Sequence, residues 1–158
     1  MRFHAALLVI CALITGCQRD PFAGDYTTST PREEDVVGVY SFTRETVTWG
    51  KSAQIKDCRI ELRGDGTFVA LNVPREEFPG RGEDYFSDLV STSGTWRMDP
   101  VGGVDSGLGK IKTHWGLHFT SPNESVHTAG FTGKRSPYGL ILGFGDPDSG
   151  KAVFLEKH

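Results

Sequence analysis

The stretch "CRIELRGDGTFVALNV", residues 58–73, decides the fold. Cys58, Ile60 and Leu62 alternate with Arg59, Glu61 and Arg63, the period of two that turns successive side chains to opposite faces of a strand. After Gly64-Asp65-Gly66 a second apolar run begins at Thr67. Glycine reaches positive φ without steric cost, so this tripeptide folds the chain back on itself as a hairpin. Cys58 shares a face with Ile60 and Leu62 and reads as a small core residue, because apolar burial raises a thiol's pKa and quiets it.

The same reading extends along the chain. "VVGVYSF" (36–42), "GTWRM" (94–98), "KIKTHWGLHF" (110–119), "VHTAGFT" (126–132), "YGLILGF" (138–144) and "KAVFL" (151–155) join the hairpin to make eight expected strands. Eight short antiparallel strands imply an all-β fold, an eight-stranded meander or lipocalin-like barrel, since closing the sheet removes its exposed edges. One short helix at most is expected, in "GEDYFSDLV" (82–90), where Phe86, Leu89 and Val90 share a helical face. Phe68, Leu71, Trp96, Trp115, Leu117, Phe119, Leu140, Leu142, Phe154 and Leu155 are the bulky candidates for the interior. A barrel of this size is filled by its side chains or holds one small ligand. In the open alternative Trp96 and Trp115 would line the ligand site.

The first residues, "MRFHAALLVICALITGC", carry one basic residue, Arg2, and then an apolar stretch from Ala5 to Ile14. That stretch is too short for a stable span and reads as a signal peptide covering residues 1–16. Ile14-Thr15-Gly16-Cys17 resembles the bacterial lipobox, which implies cleavage before Cys17 and acylation of its sulfur and new amine. The implied location is the bacterial cell envelope, with Cys17 held in the membrane by lipid. Gln18, in place of an Asp after the cysteine, favours the periplasmic face of an outer membrane where a cell has two. Residues 17–35 are rich in Thr, Asp and Pro without apolar periodicity and are expected to form a flexible tether. Residues 36–158 then form one domain.

Composition narrows the partners. Removing residues 1–16 leaves 16 basic against 20 acidic residues, a formal charge of −4, with no basic stripe of the kind a nucleic-acid binder presents. Cys58 is left without an internal disulfide partner once Cys17 carries lipid.

"GFGDPDSGKA", residues 143–152, spells seven of the eight P-loop positions from Gly145 to Lys151. Ala152 stands where the magnesium-binding hydroxyl belongs, Pro147 removes an amide from the phosphate nest, and the following residues read as a strand where a helix is required. No nucleotide is expected, and the segment reads as a polar hairpin turn. His114 and His118 lie four apart on an expected strand, roughly 13 Å along its axis, too far to share an ion. Asp146 and Asp148 lack the further ligands and the twelfth-position Glu of an EF-hand. Neither metal nor cofactor is expected. No serine occupies a G-x-S-x-G elbow, so an envelope hydrolase ranks below a non-catalytic role.

Together, "GVYSF", "IELRGDGTFVALNVP", "GTWRM" and "YGLILGFGDPDSGKAVFLEK" resemble a group of bacterial lipoproteins with a lipocalin-like small β-barrel. The group shares a Gly-Asp-Gly-Thr-Phe hairpin, a Gly-Thr-Trp strand and a Gly-Asp-Pro-Asp-Ser-Gly closing turn. No activity is assigned to it, so the resemblance implies fold and location only. True lipocalins place their Gly-x-Trp on the first strand, whereas here Gly94-Thr95-Trp96 lies mid-chain, so lipocalin ligand chemistry is not implied. The expected role is a non-catalytic interaction module meeting an envelope protein or the cell-wall polymer, the alternative being a carrier of a small apolar ligand.

Mass spectrometry of the mature N-terminus is expected to show a diacylglyceryl group on Cys17, and Cys17→Ser is expected to abolish it. An unmodified wild-type cysteine would remove the lipoprotein reading.

Overall fold

The computed structural model describes residues 20–46, 55–75, 89–105, 110–122 and 126–158. Eight antiparallel strands form a closed barrel in sequence order: β1 Gly38–Glu45, β2 Arg59–Leu62, β3 Thr67–Pro74, β4 Leu89–Asp105, β5 Ile111–Thr120, β6 Thr128–Thr132, β7 Gly139–Gly143 and β8 Ala152–Lys157. The strand β8 returns to β1, pairing Tyr40 with Lys157 and Glu45 with Val153.

A four-residue helix, α1 Glu33–Val36, precedes β1. Val36, expected to open the first strand, instead ends this helix, because the Val37 N–H donates to the Glu33 carbonyl over 3.2 Å. The Tyr40 hydroxyl donates to the Val36 carbonyl and holds Val36 in the core at that end of the barrel. Of the segment expected as a helix, residues 82–88 lie outside the described residues. Leu89 and Val90 pair with Pro74 and Val73 and belong to β4, since ladder bonds to a neighbouring strand override a weak local period.

The β2–β3 hairpin forms as expected, with Gly66 at φ +79°. Asp65 accepts from the Thr67 N–H at 2.9 Å and the Thr67 hydroxyl at 2.6 Å, and these bonds hold its carboxyl below the usual carboxylate range. The tip is then gripped by β4. Trp96 donates from its backbone N–H to the Gly66 carbonyl at 2.8 Å and from its indole Nε1 to the Arg63 carbonyl at 3.0 Å. Two residues earlier, Gly94 lets β4 lie close to β5 and to the Phe68 ring, because a Cβ there would stand 2.0 Å from the Thr120 carbonyl oxygen and 3.1 Å from that ring. The hairpin and Gly-Thr-Trp motifs are two halves of one contact.

Inward residues fill the barrel. Tyr40, Ile60, Leu62, Phe68, Leu117, Phe131, Leu140 and Leu155 are each no more than 1% exposed, and Trp96, Phe119 and Leu142 join the same cluster with Trp115 packed partly against it. Two expected members point elsewhere. Leu71 is 43% exposed: it stands three residues from inward Phe68, so the strand's own alternation turns it outward, and the register shift between Ala70 and Val73, with Asn72 at φ +49°, then returns Val73 to the core. Phe154 follows Val153 and precedes Leu155, both inward, so the pleat turns it outward, where it packs with Ile141 and Ala152 in a second cluster.

Trp96→Ala is expected to cost about 3–5 kcal/mol, the range for deleting a large buried ring, and Trp115→Ala about 2 kcal/mol in proportion to its partial burial. Urea melts check this, and near-wild-type midpoints for both variants at unchanged slope would refute the filled interior.

Candidate functional site

The second apolar cluster lies on the outside of the barrel, and the chain covers it with its own N-terminal segment. Residues 20–27, expected to belong to a flexible tether, form a strap docked across β5, β6 and β8. Its turn is pinned by Asp20, whose carboxylate accepts from the Phe22 N–H at 2.8 Å and from the Tyr26 hydroxyl. Phe22 meets Phe154 edge-on, with ring centroids 5.2 Å apart. Tyr26 stacks on His114, centroids 3.8 Å apart and planes 17° from parallel. The expectation of a free tether fails from Asp20 onward because three side chains in a polar stretch, Phe22, Tyr26 and Thr27, find complementary places on the barrel wall.

Those places exist because β5 and β6 pair over three residues only, Gly116 with Gly130 through His118 with Thr128. Beyond them the strands part, and Thr27 bridges the gap. Its N–H donates to the Phe131 carbonyl, its carbonyl accepts from the Trp115 N–H, both at 3.0 Å, and its hydroxyl donates to the Gly133 carbonyl at 2.6 Å. The Gly133 N–H donates to Asp25 at 2.9 Å, and Tyr26 pairs with Thr132 as an isolated bridge. Buried backbone groups left unpaired are costly, and the strap satisfies them.

His114 faces outward beneath Tyr26 and is only 8% exposed. Its ring lies over Gly130, where a Cβ would approach Cε1 to 2.4 Å, and its Nε2–H donates to the Phe131 carbonyl at 3.3 Å. Burial pushes its pKa down, opposed by that hydrogen bond and by the Asp20 carboxylate. His118 points its Nε2 at the Pro100 carbonyl, 3.5 Å away, so the two histidines serve different neighbours. Among the described residues, no three His, Cys, Asp or Glu side chains gather into a metal-binding group.

Between the strap and β1 and β8 runs a groove of about 430 Å³. Its walls include Asp25, Arg44, Lys134, Phe154 and Glu156. The Arg44 guanidinium stacks over the Phe154 ring at 3.5 Å from its centroid, and its terminal nitrogen is 3.9 Å from the Asp25 carboxylate. Sequence reading missed this site, since Arg44 and Lys134 stand in different strands and turns and no spacing links them. Phe22 and Tyr26 were the available signal: two aromatics in a segment otherwise composed like a linker.

The remaining sequence candidates fall apart from the groove. Cys17 lies outside the described residues. Trp96 and Trp115 belong to the packed interior described above. Cys58 is buried, and burial pushes its thiol up to about 12, which keeps it protonated and unreactive. In the closing turn, the Asp148 N–H donates to the Asp146 carboxylate at 3.0 Å and the Ser149 N–H to the Asp146 carbonyl at 2.8 Å. The turn's amides thus serve its own aspartate, and β8 follows where a P-loop has a helix. No protein-family model, curated protein or solved structure matches the chain.

A histidine with a depressed folded pKa leaves the unfolded state holding more protons as pH falls, so stability rises with pH through that window. Here the window runs downward from the unfolded value of about 6.5. Urea midpoints are expected to fall between pH 7 and pH 5, and His114→Gln is expected to flatten that fall. An equal slope in the variant would dissociate His114 from the strap's stability.

Proposed function

We propose that this chain is a lipid-anchored protein of the bacterial cell envelope whose barrel is a rigid, non-catalytic module for contact with another envelope component. The observation that carries the reading is the occupied interior: Tyr40, Phe68, Phe131, Leu117, Leu140 and Leu155 converge inside the barrel at 1% exposure or less. A carrier needs interior volume for its cargo, and these side chains take the middle of the barrel themselves. Function then belongs to the outer surface. Anchoring supports the same reading, because a protein held at a membrane by acyl chains on Cys17 is kept among a limited set of neighbours.

Cross-linking in the native envelope tests the proposal, with lipids extracted from the same purified protein. The expected result is one or a few discrete adducts to an envelope protein or to cell-wall polymer, and no stoichiometric apolar molecule other than a membrane phospholipid in the extract. An apolar molecule other than a membrane phospholipid, recovered at one per chain, would overturn the module in favour of the carrier.

A further inference from the structure

The groove beside the strap is an open surface groove with charged walls, and the strap forms one side of it. Its 430 Å³ falls within the range of pockets that hold small molecules. Four charged side chains share its walls: Arg44 and Lys134 as cations, Asp25 and Glu156 as anions. They do not neutralise one another in pairs. Arg44 reaches Asp25 only at 3.9 Å, with both side chains more than half exposed, a separation and exposure at which a pair is worth little. Among the described residues, Lys134 and Glu156 form no ion pair. Stacking on Phe154 uses the face of the Arg44 guanidinium and leaves its in-plane N–H donors for an anion.

Two cations and two carboxylates in one groove match a ligand that carries both signs. A phosphate diester suits the guanidinium and ammonium, and an ammonium suits the two carboxylates. Chain length supplies the source. Asp20 is already docked, held to Phe22 and Tyr26, and only two residues, Gln18 and Arg19, stand between it and Cys17. The steps from Cys17 to Asp20 span at most about 11 Å, whereas the headgroup layer of each leaflet is roughly 5–8 Å thick. A diacylglyceryl group on Cys17 would therefore keep the docked Asp20 within about 11 Å of the acylated residue, which brings the Gly24 and Asp25 wall of the groove near the headgroup layer. Docking of residues 20–27 leaves only the residues before Asp20 between the barrel and the anchor.

We infer that the groove formed by Asp25, Arg44, Lys134, Phe154 and Glu156 binds a zwitterionic phosphoethanolamine headgroup of the membrane to which the chain is anchored. Arg44 and Lys134 receive the phosphate, and Asp25 and Glu156 receive the ammonium. This seats the barrel with its strap side on the bilayer and leaves the opposite wall for other partners. The inference rests on the lipid-anchored reading for the source of the ligand, while the groove itself stands on the fold.

The test uses the full-length processed protein purified in a maltoside detergent, with thermal melts in the presence of short-chain phosphoethanolamine lipid, short-chain phosphoglycerol lipid or inorganic phosphate. The expected result is a saturable rise in Tm on the order of 5 °C with the phosphoethanolamine lipid, a smaller rise with the phosphoglycerol lipid, and none with phosphate. Arg44→Ala with Lys134→Ala should abolish the rise, measured against the variant's own ligand-free Tm, which loss of the Arg44 contact with Phe154 lowers independently. Glu156→Gln should reduce the preference for phosphoethanolamine over phosphoglycerol. An equal rise with inorganic phosphate would replace the headgroup with a free anion, and a rise that survives the double substitution would overturn the site. Mass spectrometry of the same preparation separates the two readings: acylated Cys17 without any lipid-induced rise defeats the groove and spares the anchor, whereas an unmodified Cys17 with the rise intact defeats the anchor and spares the groove.

Discussion

The seam between β1 and β8 is the constraint on which the rest of the structure depends. Its partners, Tyr40 with Lys157 through Glu45 with Val153, come from opposite ends of the described chain, so the seam joins the two most distant strands of the sequence. The loop-closure entropy is large and the ladder must overcome it. Three contacts outside the ladder reinforce it. The Lys157 ammonium donates to the Asp35 carbonyl at 2.7 Å, the His158 N–H to Val39 at 2.9 Å, and the Thr46 hydroxyl to the Gly150 carbonyl at 2.6 Å. With the seam closed no edge strand is left to recruit another chain. With it open, both Phe154 and the groove beside it would lose a wall.

The seam also explains why the outer surface has a site at all. The register shift between Phe42 and Arg44 is a bulge that keeps Phe42 facing the core and sends Arg44 outward, onto Phe154. Thr43, the extra residue, ties its hydroxyl to the Phe154 carbonyl at 3.2 Å. An outward aromatic on a barrel wall is an exposed apolar patch unless something covers it. Here the cover is Phe22 from the strap on one side and the Arg44 guanidinium on the other. Packing and charge thus meet at one residue, and the groove is the space they leave.

Much of the fold was legible in the sequence for a simple reason: a strand's side-chain period is local, so alternation around Ile60, Phe68, Leu117 and Leu140 identifies strands without knowledge of their partners. Bulges interrupt that period by one residue and cannot be seen in it. That is why the run ending at Val73 read as unbroken; Leu71, three residues from Phe68, stands on the outer face by the strand's own alternation. The strap was illegible for the opposite reason. Its segment has no period, because Phe22, Tyr26 and Thr27 each answer a different feature of the wall: an outward ring, an outward histidine and a gap between parting strands.

The sequence by itself determined the class of the fold, the number and order of the strands and the hairpin at Gly64-Asp65-Gly66, all consequences of periodicity and of backbone freedom at single residues. Only the tertiary structure decided that residues 20–27 belong to the barrel, that His114 lies buried beneath Tyr26, and that Arg44, Lys134, Asp25 and Glu156 share one groove. Those side chains are scattered between residues 25 and 156; the pairing of β8 with β1 brings Arg44 to Glu156 and the docking of the strap on Gly133 brings Asp25 to Lys134, long-range contacts that no local pattern encodes.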